Sequence, residues 1–173
     1  MRKNMSPHSI GKTLYGPDDT SAIAVSLAGH LLSGDTVLLS GPVGAGKSHF
    51  ARSLIAALLE SPEDIPSPTY TLVQTYESSA GEIWHADLYR LTDSAEIGEL
   101  GLLEAFDQAI CLVEWPERLE NLTPDRALNL GFFIPESYDR RELTLTWSAP
   151  RWSQILPEAL DDINARGADR DLP

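Results

Sequence analysis

The stretch LLSGPVGAGKSHFA, Leu38 to Ala51, decides how this chain is read. Gly41, Gly46, Lys47 and Ser48 stand in it in the order G-x-x-x-x-G-K-[ST]. Thr36–Ser40 before the loop is predicted to be a short buried strand. His49–Leu59 after it is predicted to be a helix, with Phe50, Leu54, Leu58 and Ala51, Ile55, Leu59 at helical spacing. Strand, glycine loop and helix together are the context in which this pattern carries a mechanism. Glycines let the backbone curl around an anion, so the N–H groups of Gly41, Gly44, Ala45 and Gly46 are expected to face phosphate oxygens. The helix N-terminus adds partial positive charge. Lys47 is expected to reach the β- and γ-phosphates of a nucleotide, and the Ser48 hydroxyl to ligate Mg²⁺. His49, at the start of the helix, can reach phosphate or lie on the surface. The alternative to all of this is a glycine turn with a solvated Lys47.

Length and charge narrow the rest. A chain of 173 residues, 42% hydrophobic, fits one domain with a sizeable core. No apolar run approaches the roughly 18 residues a membrane helix needs. The start, MRKNMSPHS, has no apolar segment behind its basic residues, so no secretion signal is read. Cys111 is the single cysteine, which excludes an internal disulfide and suits a reducing cytoplasm. Thirteen Lys and Arg against 26 Asp and Glu give a formal charge of −13. That balance disfavours autonomous binding to RNA or DNA, whose affinity comes largely from basic side chains on phosphate.

Along the chain, residues 1–9 are expected to be disordered and a single domain to span 10–160. Lys12–Tyr15 is a possible strand, broken by Gly16-Pro17. Asp18, Asp19 and Thr20 are candidate caps for a helix over about Ser21–Leu32. Ser61–Pro68 holds three prolines in eight residues and is a loop. Thr69–Glu77 alternates like a strand, and Glu82–Leu88 completes a hairpin with it. A short or irregular helix follows Asp93. Ala109–Val113 is a continuous apolar run, as in a strand buried on both faces. Ala127–Ile134 and Glu142–Trp147 form a second hairpin at an edge, Trp152–Leu160 a last helix, and 161–173 a frayed tail. The expected fold class is α/β, a P-loop NTPase fold. Its mixed, mostly parallel sheet is flanked by helices and carries an antiparallel edge hairpin.

Ligands of open α/β sheets sit at the carboxyl ends of the strands. Glu114 holds that place after Ile110–Val113 and reads as an acid on the Mg²⁺ side, acting directly or through water. Asp87, in WHADLYR, is a second candidate acid, for orienting water or ligating metal. A structural carboxylate that pairs with Arg90 or caps a turn is the competing view of it. Thr69 can offer its hydroxyl to the γ-phosphate, as switch threonines do. Trp115 can close over a nucleotide or pack at an edge. No Cys/His cluster has zinc spacing.

Five segments in order carry a resemblance: GPVGAGKSHFAR (41–52), SPTYTLVQTYE (67–77), WHADLYRL (84–91), ELGLLEAF (99–106) and ICLVEWPERL (110–119). Together they resemble the TsaE (YjeE) family, over about residues 17 to 147. The resemblance implies ATP hydrolysis coupled to a TsaB–TsaD partner complex that modifies the adenosine beside the tRNA anticodon. In that family the ATPase is not the transferase and is thought to reset the complex between turnovers. It implies a cytoplasmic protein, a monomer when isolated, that meets tRNA only indirectly. Residue by residue, Lys47 and Ser48 fall on the ATP and Mg²⁺ positions and Glu114 on the second Mg²⁺-side acid. Asp87 falls on the aspartate needed for activity, Trp115 on the neighbouring tryptophan and Thr69 on the Ser-Pro-Thr threonine. Asp19 and Arg141 align with nucleotide-contacting positions. The sequence departs where Pro42-Val43 replace the usual Asp-Leu and His49 the usual Thr.

Two other function classes fit a phosphate loop. A small-molecule kinase needs a lid carrying arginines, and here only Arg90, Arg118 and the pair Arg140-Arg141 offer themselves. A nucleotide-dependent binding module needs no turnover at all.

Overall fold

The computed structural model describes residues 6–168, with side chains described through Asp161. Seven strands form one sheet in the order β1-β7-β6-β2-β5-β4-β3. They are β1 (His8–Leu14), β2 (Thr36–Ser40), β3 (Val73–Ser78), β4 (Gly81–Asp87), β5 (Ile110–Glu114), β6 (Leu128–Phe133) and β7 (Arg141–Trp147). The helices are α1 (Pro17–Ala28), α2 (Lys47–Leu58), α3 (Ser94–Glu99), α4 (Leu102–Gln108) and α5 (Pro150–Ala168), with 3-10 turns over Pro116–Leu122. This is the P-loop NTPase fold.

The centre of the sheet is parallel: β4 pairs with β5, β5 with β2 and β2 with β6. Antiparallel strands flank it, β3 beside β4 on one side, and β7 then β1 beyond β6 on the other. Five strands therefore run one way and β3 and β7 the other. The β6–β7 hairpin forms as its two apolar runs predict, and β1 covers its outer side. Strands β2 and β5 are apolar on both faces because both faces are covered. Val37, Leu39, Ile110 and Leu112 pack against α1, α2 and α5. Leu38, Cys111 and Val113 pack against α3, α4 and the 3-10 turns. Burial pushes the Cys111 thiol up to about 12, so it is a core residue and no nucleophile.

Several expectations are revised. His8 and Ser9 belong to β1, because each has a partner in β7 and the His8 ring stacks on Trp147 at 5.6 Å. Residues 1–5 and 169–173 lie outside the described residues. The last helix does not stop at Leu160: α5 runs on to Ala168. Helix α1 starts at Pro17, not Ser21, since proline's fixed φ suits the first helical turn. Residues 69–72 are a turn rather than the start of a strand. The Leu72 N–H closes on the Pro68 carbonyl at 2.7 Å, and Leu72 itself has φ +66°. Gly101, at φ +79°, separates α3 from α4, and Asp93 and Glu96 cap α3 reciprocally. No helix among the described residues is long and apolar enough to cross a membrane.

Candidate active site

The loop after β2 is tightly wound against β6. Gly41 has φ +132°, and a Cβ there would stand 2.4 Å from the Phe132 carbonyl oxygen of β6. Gly46, at φ +112°, is the N-cap of α2, and the Phe50 N–H closes on its carbonyl at 2.9 Å. Both positions demand glycine, so the spacing in the sequence is a backbone requirement.

Lys47 is 5% exposed. Its ammonium donates to the carbonyls of Gly41 at 2.6 Å and Pro42 at 2.9 Å and lies 4.4 Å from the centre of the Trp115 ring. Burial lowers its pKa below the ordinary lysine value, against the opposing pull of Glu114, Glu117 and Asp87. A phosphate offers this cation charged oxygens where the loop offers neutral carbonyls. Trp115 is set by a left-handed backbone (φ +59°) and leans on Tyr89, ring centres 4.8 Å apart.

The parallel register places Asp87 opposite Glu114 and Glu114 opposite Leu39, so the two carboxylates share one end of the sheet. The Ser48 hydroxyl donates to Glu114 Oε2 at 2.8 Å. Glu114 Oε1 lies 2.8 Å from His85 Nε2, and His85 and Glu114 are 0% and 2% exposed. Asp87 Oδ1 accepts the Tyr89 N–H at 3.0 Å, so it does cap a turn, while Oδ2 accepts the Thr69 hydroxyl at 3.3 Å. Arg90 does not pair with it and reaches the Thr69 carbonyl at 3.5 Å. Thr69 is held further by Ser67, oxygen to oxygen at 2.8 Å.

A cavity of about 480 Å³ opens over these groups, lined by Lys47, Ser48, Thr69, Asp87, Glu114 and Trp115 among others. A second, of about 450 Å³, is lined by Tyr15, Gly16, Pro17, Ala45, Tyr138 and Arg141. The two share Gly44, Gly46 and His49, and so meet over the loop. His49 is half-buried, not a surface residue, its Nε2 lying 2.8 Å from Ser21 Oγ and 3.0 Å from the Pro17 carbonyl. The Arg141 guanidinium donates to the Arg140 carbonyl at 2.9 Å. Asp19 lines neither cavity: its carboxylate accepts the Tyr15 N–H at 2.9 Å and so shapes the loop that does.

The donor set fits a hard cation beside phosphates. Ser48 commits its one hydrogen to Glu114, which leaves its lone pairs for a metal. Among the described residues no group of three or more His, Cys, Asp or Glu side chains forms a metal cage. Mg²⁺ needs none, since it keeps waters and takes one or two protein oxygens plus substrate phosphates.

His85 was not singled out in the sequence, although WHADLYR contains it. The signal was its spacing: His85 and Asp87 are two apart on a strand and so point the same way. Knowing that β4 lies beside β5 would have set it beneath Glu114.

The loop, sheet order and carboxyl-end acids define a P-loop NTPase-fold protein. The family model for threonylcarbamoyl adenosine biosynthesis protein TsaE matches residues 14–143, and the chain belongs to the TsaE family. It is 43% identical over 110 residues to the tRNA threonylcarbamoyladenosine biosynthesis protein TsaE of Rickettsia conorii, a match covering 64% of this chain and 63% of that protein's length. It is 34% identical over 143 residues to the protein of the same name from Bacillus subtilis, covering 82% and 88%. The crystal structure of Bacillus subtilis YdiB superposes with a TM-score of 0.74 at 28% identity, covering 88% of this chain and 95% of that one.

Proposed function

We propose that the protein is a Mg²⁺-dependent ATPase of tRNA threonylcarbamoyladenosine biosynthesis that works through a TsaB–TsaD-type complex in the cytoplasm. One observation carries the nucleotide reading: the hydrogen bond from Ser48 to the buried Glu114 beside the buried Lys47 ammonium, at the strand ends and under an open cavity. Lys47 and the loop N–H groups hold the phosphates, and Ser48 and Glu114 serve the metal side. Bound Mg²⁺ neutralises phosphate charge. Asp87, with Thr69 on one oxygen, is placed to orient a water and hold its proton as that water displaces ADP from the terminal phosphate. The base lies in the second cavity, between Tyr15 and Arg141.

The partner reading follows from charge and family. A surface of formal charge −13 repels a phosphate backbone, so tRNA is met through a partner. The partner closes the Thr69 loop and Trp115 over the nucleotide. The test is phosphate release from ATP with and without a TsaB–TsaD-type complex, beside a gel shift of the isolated protein with tRNA. Release that rises with the complex, with no salt-sensitive tRNA binding, is the expected result. Full release without partners favours a stand-alone enzyme or kinase, and a steeply salt-dependent tRNA complex favours a direct RNA role.

A further inference from the structure

His85 is a buried polar side chain in a place built for apolar ones. Its neighbours on the same face, Ile83 and Leu112, are both 0% exposed. It stands on β4 two residues before Asp87, opposite Leu112 in the register, one step deeper in the sheet than the two carboxylates. Its Nε2 meets Glu114 Oε1 at 2.8 Å, and its Nδ1 is buried with no hydrogen-bond partner. Leaving a ring nitrogen unsatisfied in the interior is unfavourable, so packing alone does not account for a histidine here.

We propose that His85 is a positioning residue for Glu114, and through it for Ser48. Glu114 has two oxygens and two partners. His85 takes Oε1, so Oε2 faces Ser48 and accepts its hydroxyl hydrogen. That hydrogen bond aims the Ser48 lone pairs at the cavity, where a metal would sit. The terminal torsion of a glutamate is broad, so without His85 the carboxylate turns and the Ser48 hydrogen is no longer committed. This inference rests on the MgATP reading above, and it assigns His85 no contact with nucleotide or metal.

The test is ATP affinity by calorimetry, with Mg²⁺ and again with EDTA, in the parent protein and in His85→Leu, His85→Gln and His85→Asn. Leucine fills the space and removes the donor. Glutamine carries an amide nitrogen as many bonds from Cβ as Nε2, and asparagine's falls one bond short. With Mg²⁺, His85→Leu should bind roughly tenfold more weakly, the usual loss when a ligand's supporting hydrogen bond is removed. With EDTA it should match the parent, and His85→Gln should restore most of the Mg²⁺ effect. If His85→Leu does not fold, the same ratio is read from His85→Asn against His85→Gln. Equal Mg²⁺ effects in parent and variants, or equal losses with and without the metal, overturn the inference and leave the function reading standing. A parent protein whose ATP affinity ignores Mg²⁺ overturns both.

Discussion

The two cavities that meet over the glycine loop are held by different kinds of wall. On the proposed phosphate side the wall is the end of a sheet. Glu114, Asp87 and His85 sit on paired strands, all three are buried, and both oxygens of each carboxylate meet a named partner. On the other side most of the wall is loop, with Tyr15 69% and Tyr138 74% exposed. In the proposed reaction the phosphates react, so the groups around them need fixed positions. A base only has to be gripped, and exposed aromatic and half-buried guanidinium groups suffice for that. The difference predicts large effects on one side and small ones on the other.

The largest effect is expected from Lys47→Ala. It removes the one buried cation over the phosphate cavity among the described residues. Nucleotide affinity should fall by at least about a hundredfold, the loss of charge-assisted hydrogen bonds to phosphate. Calorimetry reads it directly. Unchanged affinity would place the grip on the loop side and reverse the comparison.

Next come Glu114→Ala and Asp87→Ala. Each should lower partner-stimulated phosphate release on the order of a hundredfold while changing nucleotide affinity much less. Release at the parent rate in both variants would mean that the fixed wall only binds.

The same contrast explains what the sequence disclosed. The phosphate loop is local, and Glu114 follows an apolar strand, so both can be read from a single stretch. Thr69 misled because alternation is blind to the turn that Leu72, with its positive φ, imposes. His85 could not be assigned without the adjacency of β4 and β5, which no local pattern encodes. The loop-walled cavity is more distant still. It exists because β1 pairs with β7, Leu14 opposite Arg141, bringing Tyr15 to residues more than a hundred positions away. Arg141 and Asp19 came from family resemblance alone, and of the two only Arg141 lines the cavity.

Gly41→Ala probes the seam between the two walls. An added Cβ would meet the Phe132 carbonyl at 2.4 Å and the Phe132 Cβ at 3.1 Å, at a φ of +132° that side chains rarely adopt. Phe132 also packs edge-on against Phe50 of α2, ring centres 5.9 Å apart, so the loop has no room to yield. Stability should drop by about 2 kcal/mol, within the range for a strained backbone position. Chemical denaturation measures it. An unchanged midpoint would show that the loop is looser than its contacts with β6 imply.

The smallest effect is expected from Arg141→Ala. Its guanidinium is half-buried, donates to the carbonyl of Arg140 and lines the loop-walled cavity beside Tyr138. Removing one adaptable polar contact should weaken nucleotide binding by about 1 kcal/mol, roughly fivefold. The rate of phosphate release at saturating ATP should stay at the parent value, because the Arg141 guanidinium bonds to the Arg140 and Tyr138 carbonyls and not to Asp87, Ser48 or Glu114. A raised KM with an unchanged kcat is the signature of binding that is equal in the ground and transition states. If kcat falls as well, the two walls are mechanically linked. His49 is then the first residue to examine, since it lines both cavities and ties α2 to the start of α1 through Ser21 and the Pro17 carbonyl.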